Sequence, residues 1–334
     1  MSNFRLTAML ACCAAAYGQP LRDLAEHRSV RIGTAVNPAV LGQAEYAATL
    51  AREFDQAEPE NAMKFGPIHP EEARYNFEPA DRVVAFARDH KMAVRGHTLV
   101  WHKQNPTWIT NGGLSPEKLS AVLHDHIRTV VGHFAGQVYA WDVVNEAVND
   151  DGTPRSTFWS AIPAYIEQAF RWAHEADPKA KLFYNDYSAE GMNAKSDGVF
   201  QLAREWKSRG VPIDGIGLQM HFTKKAPPVA AIEANLKRIT DLGLEVQITE
   251  LDVRVPVDEN GVASTADLQA QAKIYGDIVA ACLKFPKCTA IQTWGFTDRY
   301  SWVPRTYPGN GAALPFDASY RPKPAYAAMA APLK

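Results

Sequence analysis

Two glutamates, Glu146 in WDVVNEAVND and Glu250 in ITELDV, each follow a short apolar run and stand among amides and carboxylates. Carboxyl groups on opposite sides of one cleft can share a substitution at carbon. One protonates the departing oxygen while the other attacks or activates water. A single glutamate in such a place usually caps a helix or pairs on the surface. Two of them, each beside groups that read hydroxyls, suit the cleavage of a glycosidic bond. The supporting residues are Glu60, Asn61 and Lys64 in ENAMK, His97 and Trp101 in GHTLVWH, and Asn145 beside Glu146. Asn185, Asp186 and Tyr187 follow in FYNDYS, Gln219 and His221 in GLQMH, Asp252 just after Glu250, and Trp294 and Trp302 in TWGFTDRYSW. Indole and phenol rings next to polar groups match sugars, whose rings have apolar C–H faces and hydroxyl edges.

Rival chemistries find little support. His97, His102 and His221 lack metalloprotease spacing, and His124 and His126 lie two apart on a predicted helix, on different faces. No metal and no cofactor is expected. Neither a GxSxG elbow nor a Walker loop occurs. Lys64 could form a Schiff base, but its place in ENAMK favours an ammonium that binds substrate.

The residues named above need elements to bring them together. Short apolar segments begin at 31, 57, 92, 138, 180, 214, 244 and 289, a mean spacing of about 37 residues, and a βαβ step needs about 30 or more. Helical periodicity fills the intervals at 45–54, 80–90, 115–134, 160–176, 194–210, 229–242 and 265–285. Pro116 after Ser115 and the run Thr265-Ala266-Asp267 read as helix starts. Eight alternating strands and helices predict a single (β/α)8 barrel, an α/β fold whose strand carboxyl ends face one site. An open doubly wound sheet would usually carry a Gly-rich phosphate turn, which is missing.

The chain has 334 residues, 46 % of them hydrophobic, with a formal net charge of −2. No basic stripe suggests nucleic acid and no apolar run reaches the roughly 18 residues of a membrane span. A monomer is expected. Residues 1–19 read as a secretory signal: Arg5, an apolar stretch from Leu6 to Ala16, and small residues Ala14–Ala16 for cleavage. A lipid anchor at Cys12 or Cys13 fits less well. Residues 20–334 then form one catalytic barrel. The mature chain would retain Cys282 and Cys288, either as a free buried pair or as a disulfide closing a short loop, which stabilises modestly.

The motifs GHTLVWH, WDVVNE, GLQMH, ITELDV and SWVPRTYPGNGAALPFD, in this order from about residue 21 onward, resemble family 10 glycoside hydrolases. Those are secreted endo-β-1,4-xylanases that act with retention on xylan and xylooligosaccharides. The resemblance implies that Glu146 is the acid/base and Glu250 the nucleophile. It further implies sugar-binding roles for Glu60, Asn61, Lys64, His97, Trp101, Asn145, Gln219, His221, Trp294 and Trp302, with His221 held between Glu250 and Asp252. One departure is Phe65, where the family usually has Trp: a ring is kept and an N–H donor lost. Two alternatives stay open, a retaining barrel glycosidase cutting another β-glycan and a non-catalytic sugar-binding barrel.

Overall fold

A computed structural model describes residues 18–334. Residues 1–17 of the expected signal, with Cys12 and Cys13, lie outside the described residues. Eight parallel strands close on themselves: β1 (Arg31–Val36), β2 (Gln56–Pro59), β3 (Ala93–Val100), β4 (Ala140–Asn145), β5 (Lys181–Asp186), β6 (Gly215–Leu218), β7 (Glu245–Val253) and β8 (Cys288–Thr293). Each pairs with its sequence neighbours, and β8 closes the ring against β1 (Arg31 opposite Ala290) and β7 (Cys288 opposite Val246). The expected (β/α)8 barrel is the observed fold.

The helices bury one stripe each against this sheet. Helix α1 (Leu21–Glu26) precedes the barrel, then α2 (Ala44–Glu53), α3 (Glu78–Asp89), α4 (Pro116–His133), α5 (Tyr165–Ala176), α6 (Ala194–Ser208), α7 (Val229–Asp241) and α8 (Thr265–Leu283) cross between strands. Helix α9 (Pro324–Leu333) packs against α8. In α5 the buried residues Tyr165, Ala169, Phe170 and Ala173 fall at helical spacing. Start signals are met by specific donors: Ser115 Oγ accepts from Lys118 N, and Ser264, not Thr265, caps α8 by accepting from Asp267 N. The helix expected over 160–176 is divided. A capped single turn (Phe158–Ala161) comes first, and α5 begins only after Pro163 and a left-handed Ala164.

The barrel lumen is polar at its centre. The Arg95 guanidinium is fully buried, bonded to Gln247 Oε1 (2.6 Å) and Asp142, 3.3 Å from Glu58, and stacked over Phe183. Gln292 bridges Gln56, Glu58 and the Thr249 carbonyl. Glycines make room where side chains cross: a Cβ on Gly217 would lie 2.3 Å from Asn185 Oδ1. On the outside, Cys282 at the end of α8 and Cys288 at the start of β8 form a disulfide (Cα–Cα 5.4 Å), so of the two alternatives the bonded pair is observed.

Candidate active site

The carboxyl ends of the strands open into one cleft of about 600 Å³. It gathers Glu60, Asn61 and Lys64 after β2, His97 from β3 with Trp101 after it, Asn145 and Glu146 at β4, and Tyr187 at β5. Gln219 and His221 follow β6, Glu250 lies on β7, and Trp294 and Trp302 follow β8. Asp252 stands behind His221, because the two-residue strand His221–Phe222 pairs alongside β7 and sets His221 opposite Asp252. The residues named here, with Asn185 bonded to Glu250, lie in the cleft or against its wall. Asp186, also anticipated from sequence, is instead fully buried, bonded to Tyr184 and 3.0 Å from Lys195.

Glu250 is buried and held from two sides. His221 Nε2 lies 3.1 Å from its Oε2, and Asn185 Nδ2 donates to its Oε1 at 2.8 Å. The other His221 nitrogen faces Asp252 Oδ2 at 3.0 Å, and Trp302 Nε1 donates to that same oxygen at 2.7 Å. Burial pushes the Glu250 carboxyl up, but the His221 bond and the charges of His97, His221 and Lys64 outweigh it, holding the carboxyl down to about 2. Burial opposes charge on His221, yet Asp252 and then Glu250 hold its proton well above the ordinary imidazole range. Lys64 is buried between Trp101 and Trp294, its Nζ 2.8 Å from Asn61 Oδ1. Burial lowers its affinity for a proton, and Glu250 and Glu60 oppose this.

Glu146 sits in a different environment. Gln219 Nε2 donates to its Oε1 at 3.3 Å. Its Oε2 has no hydrogen-bond partner; Lys103 Nζ is 3.7 Å away and His102 Nε2 4.0 Å. Asn145 and Asn185 link the two glutamates. Asn185 Oδ1 accepts from Thr249 Oγ1 (2.7 Å) while its Nδ2 serves Glu250, so its orientation is fixed. Asn145 Oδ1 then accepts from Asn185 Nδ2 (2.9 Å) and Gln219 Nε2 (3.2 Å). Its own amide nitrogen faces the Trp101 indole nitrogen at 3.2 Å, donor against donor, so neither satisfies the other.

His97 shows how the lumen serves the cleft. Its Nδ1 lies 3.0 Å from Asp142 Oδ2 and 3.8 Å from Glu58, so Nε2 is the nitrogen left for a ligand. Burial lowers its affinity for a proton, but Asp142 and Glu58 raise it more. Glu58, His97 and Asp142 are the one group among the described residues compact enough to hold a metal. The Arg95 guanidinium already touches both carboxylates, so the trio does not fit a cation. Phe65 packs its ring on His126, centroids 3.6 Å apart.

Sequence reasoning missed Lys103, Arg254, Arg305 and Tyr307, which also line the cleft. It missed Arg155 as well, whose guanidinium bonds the Glu146 carbonyl. Lys103, Arg155 and Tyr307 lie in irregular segments and Arg305 in a single helical turn (Val303–Thr306). Arg254 directly follows the end of β7, a strand end that the sequence reading carried no further than Asp252.

Comparison with known proteins agrees with this geometry. The family model for Glycosyl hydrolase family 10 matches residues 20–332. Endo-1,4-beta-xylanase B of Thermotoga neapolitana is 47% identical over 97% of this chain and 95% of its own length. Endo-1,4-beta-xylanase A of Fusarium oxysporum is 43% identical over 82% of this chain and 86% of its own. Among solved structures, xylanase 10B of Thermotoga petrophila in complex with xylobiose superposes with a TM-score of 0.92 at 48% identity, covering 95% of this chain and 98% of that one.

Proposed function

Because the chain belongs to glycosyl hydrolase family 10, we propose that it is an endo-1,4-β-xylanase acting by retaining double displacement. The observation that carries this reading is the contrast between two carboxyl groups in one cleft. Glu250 is held ionised by His221 and Lys64, and Glu146 keeps an oxygen free of hydrogen bonds. Glu250 attacks the anomeric carbon as Glu146 gives its proton to the departing xylosyl oxygen. The resulting ester consumes the Glu250 charge. Glu146, now a carboxylate, removes a proton from water, which attacks the same carbon and releases Glu250. Asn145 offers its amide N–H to a sugar hydroxyl, and His97 its Nε2. Lys64, Asn61 and Glu60 bind the sugar on one side, and Trp294 and Trp302 wall the ring.

Xylan and xylooligosaccharides are the substrates in this reading, with residues 20–334 as one catalytic unit that works as a monomer. Among the described residues only Met192 and Val262 are large exposed apolar side chains. Residues 1–19 act as an export signal, which the disulfide suits. Among the described residues no helix is long and apolar enough to cross a membrane.

The test is release of reducing ends from xylan, followed by proton magnetic resonance of the first product. A β-anomer formed first supports retention. An α-anomer first, or activity on glucan or mannan in place of xylan, overturns the proposal.

A further inference from the structure

Glu146 has a positive φ of 58°, a left-handed backbone that a non-glycine residue adopts only when its surroundings enforce it. One residue supplies much of that enforcement. Arg155 Nε donates to the Glu146 carbonyl (2.9 Å), its backbone N–H to the Ala147 carbonyl (2.7 Å), and Nη2 to the Val148 carbonyl (3.1 Å). Three consecutive carbonyls, beginning at Glu146, are therefore held by a single side chain and its own peptide. The same Nη2 donates to the Tyr187 hydroxyl at 3.2 Å, and Tyr187 lines the cleft beside Glu146. From the other side Tyr184 accepts from Ala147 N at 2.9 Å, and the Asn185 carbonyl accepts from Glu146 N at 2.9 Å.

We propose that Arg155 is a positioning residue for proton transfer, fixing the direction of the Glu146 carboxyl and locking it to the Tyr187 wall of the cleft. The guanidinium fork is suited to this because its donors are planar and rigid. Here the two carbonyls and the phenol are reached from two separated nitrogens, Nε and Nη2, whereas a lysine presents its donors from a single nitrogen and a neutral amide has only two. The side chain bonds the Glu146 main chain and touches its carboxyl only through charge, so its hydrogen bonds act on the acid through geometry. A misplaced acid matters only where the leaving oxygen needs a proton. The inference rests on Glu146 being the acid, and the experiment separates the two claims.

Aryl xylobiosides spanning leaving groups from dinitrophenol to phenol are compared for the native enzyme, Arg155→Met, Arg155→Gln and Glu146→Ala. Circular dichroism and the thermal midpoint report whether each variant folds. Arg155→Met should lose about tenfold in kcat/KM on the phenyl glycoside and less than about twofold on the dinitrophenyl one. The dependence on leaving group should steepen, with KM little changed, and Arg155→Gln should behave alike. A purely structural role would lower all substrates together. An unaltered dependence in either folded variant, or an equal loss on all leaving groups, overturns the proposal while a steepened Glu146→Ala leaves the acid assignment standing. If Glu146→Ala is itself flat, the assignment fails and this inference falls with it.

Discussion

His221 Nε2 lies 3.1 Å from Glu250 Oε2, and the opposite ring nitrogen is held at 3.0 Å by Asp252. A carboxylate, an imidazolium and a second carboxylate in this order keep Glu250 ionised far below the usual carboxylate range. The pH dependence of the first step should show it. The Glu250 limb of kcat/KM lies at strongly acid pH in the native enzyme. In His221→Ala the bond and charge are lost, burial remains, and that limb should move up by about 1–2 pH units. A dinitrophenyl xylobioside measures this without involving the acid: read from pH 7 down to about 2.5, the native rate should stay nearly flat while the variant's falls below about pH 4. An unmoved limb would assign the ionisation elsewhere.

The two glutamates should separate by leaving group. General acid catalysis contributes about 10²–10⁴-fold, and only when the departing oxygen needs its proton. Glu146→Ala should lose that factor on xylan yet form the glycosyl-enzyme rapidly from a dinitrophenyl xylobioside, giving a burst and then slow turnover. Azide should restore turnover and yield the β-azide. Glu250→Ala should lose both substrates, with any azide product of the α configuration. Loss of both substrates by Glu146→Ala, with no burst, would reverse the roles.

Trp302 joins selectivity to catalysis. Its ring walls the cleft, and its Nε1 donates to the Asp252 oxygen that His221 faces. Xylose lacks the hydroxymethyl group of glucose, so an indole against the ring can crowd the larger sugar. Trp302→Ala should lower absolute rates through Asp252 but raise the ratio of aryl cellobioside to aryl xylobioside kcat/KM. The ratio is the proper readout, because weakened support of Glu250 affects both substrates alike. An unchanged ratio would place discrimination elsewhere in the cleft.

Acid stability should depend on His126. Its ring is fully buried on Phe65, with Nδ1 3.3 Å from Nδ1 of His69. Burial, then the neighbouring His69, hold its proton affinity well below the usual imidazole range. The unfolded chain therefore binds a proton first as pH falls. The contribution is complete above about pH 6.5 and declines below it, by at most about 1.4 kcal/mol per pH unit. His126→Phe should narrow the difference in unfolding free energy between pH 7.5 and 5. Urea titrations at both pH values measure it, and an undiminished difference would point to other groups.

The barrel, its strand spacing and the cleft's principal residues were legible in the chain itself. Strands and helices in this fold are local, each dictated by the residues within it, and strand carboxyl ends meet at one face whatever their distance in sequence. Hence Glu146 and Glu250 could be paired across 104 positions before any geometry was known. Helix ends were less legible: the break at Pro163–Ala164 and the cap at Ser264 turn on single backbone angles and side-chain bonds. What the tertiary structure alone decided is how each group is held. Asn185 could be read as a residue at a strand end, but its bonds to Glu250, Asn145 and Thr249 depend on β4, β5 and β7 arriving together. Arg95 looks like an ordinary strand residue, yet barrel closure buries it against Glu58 and Asp142. Arg155 carries no periodicity, and its grip on the Glu146 backbone exists only once the loop folds back. Residue type sets what chemistry is available, whereas distance, burial and orientation arise from contacts between segments far apart in the chain.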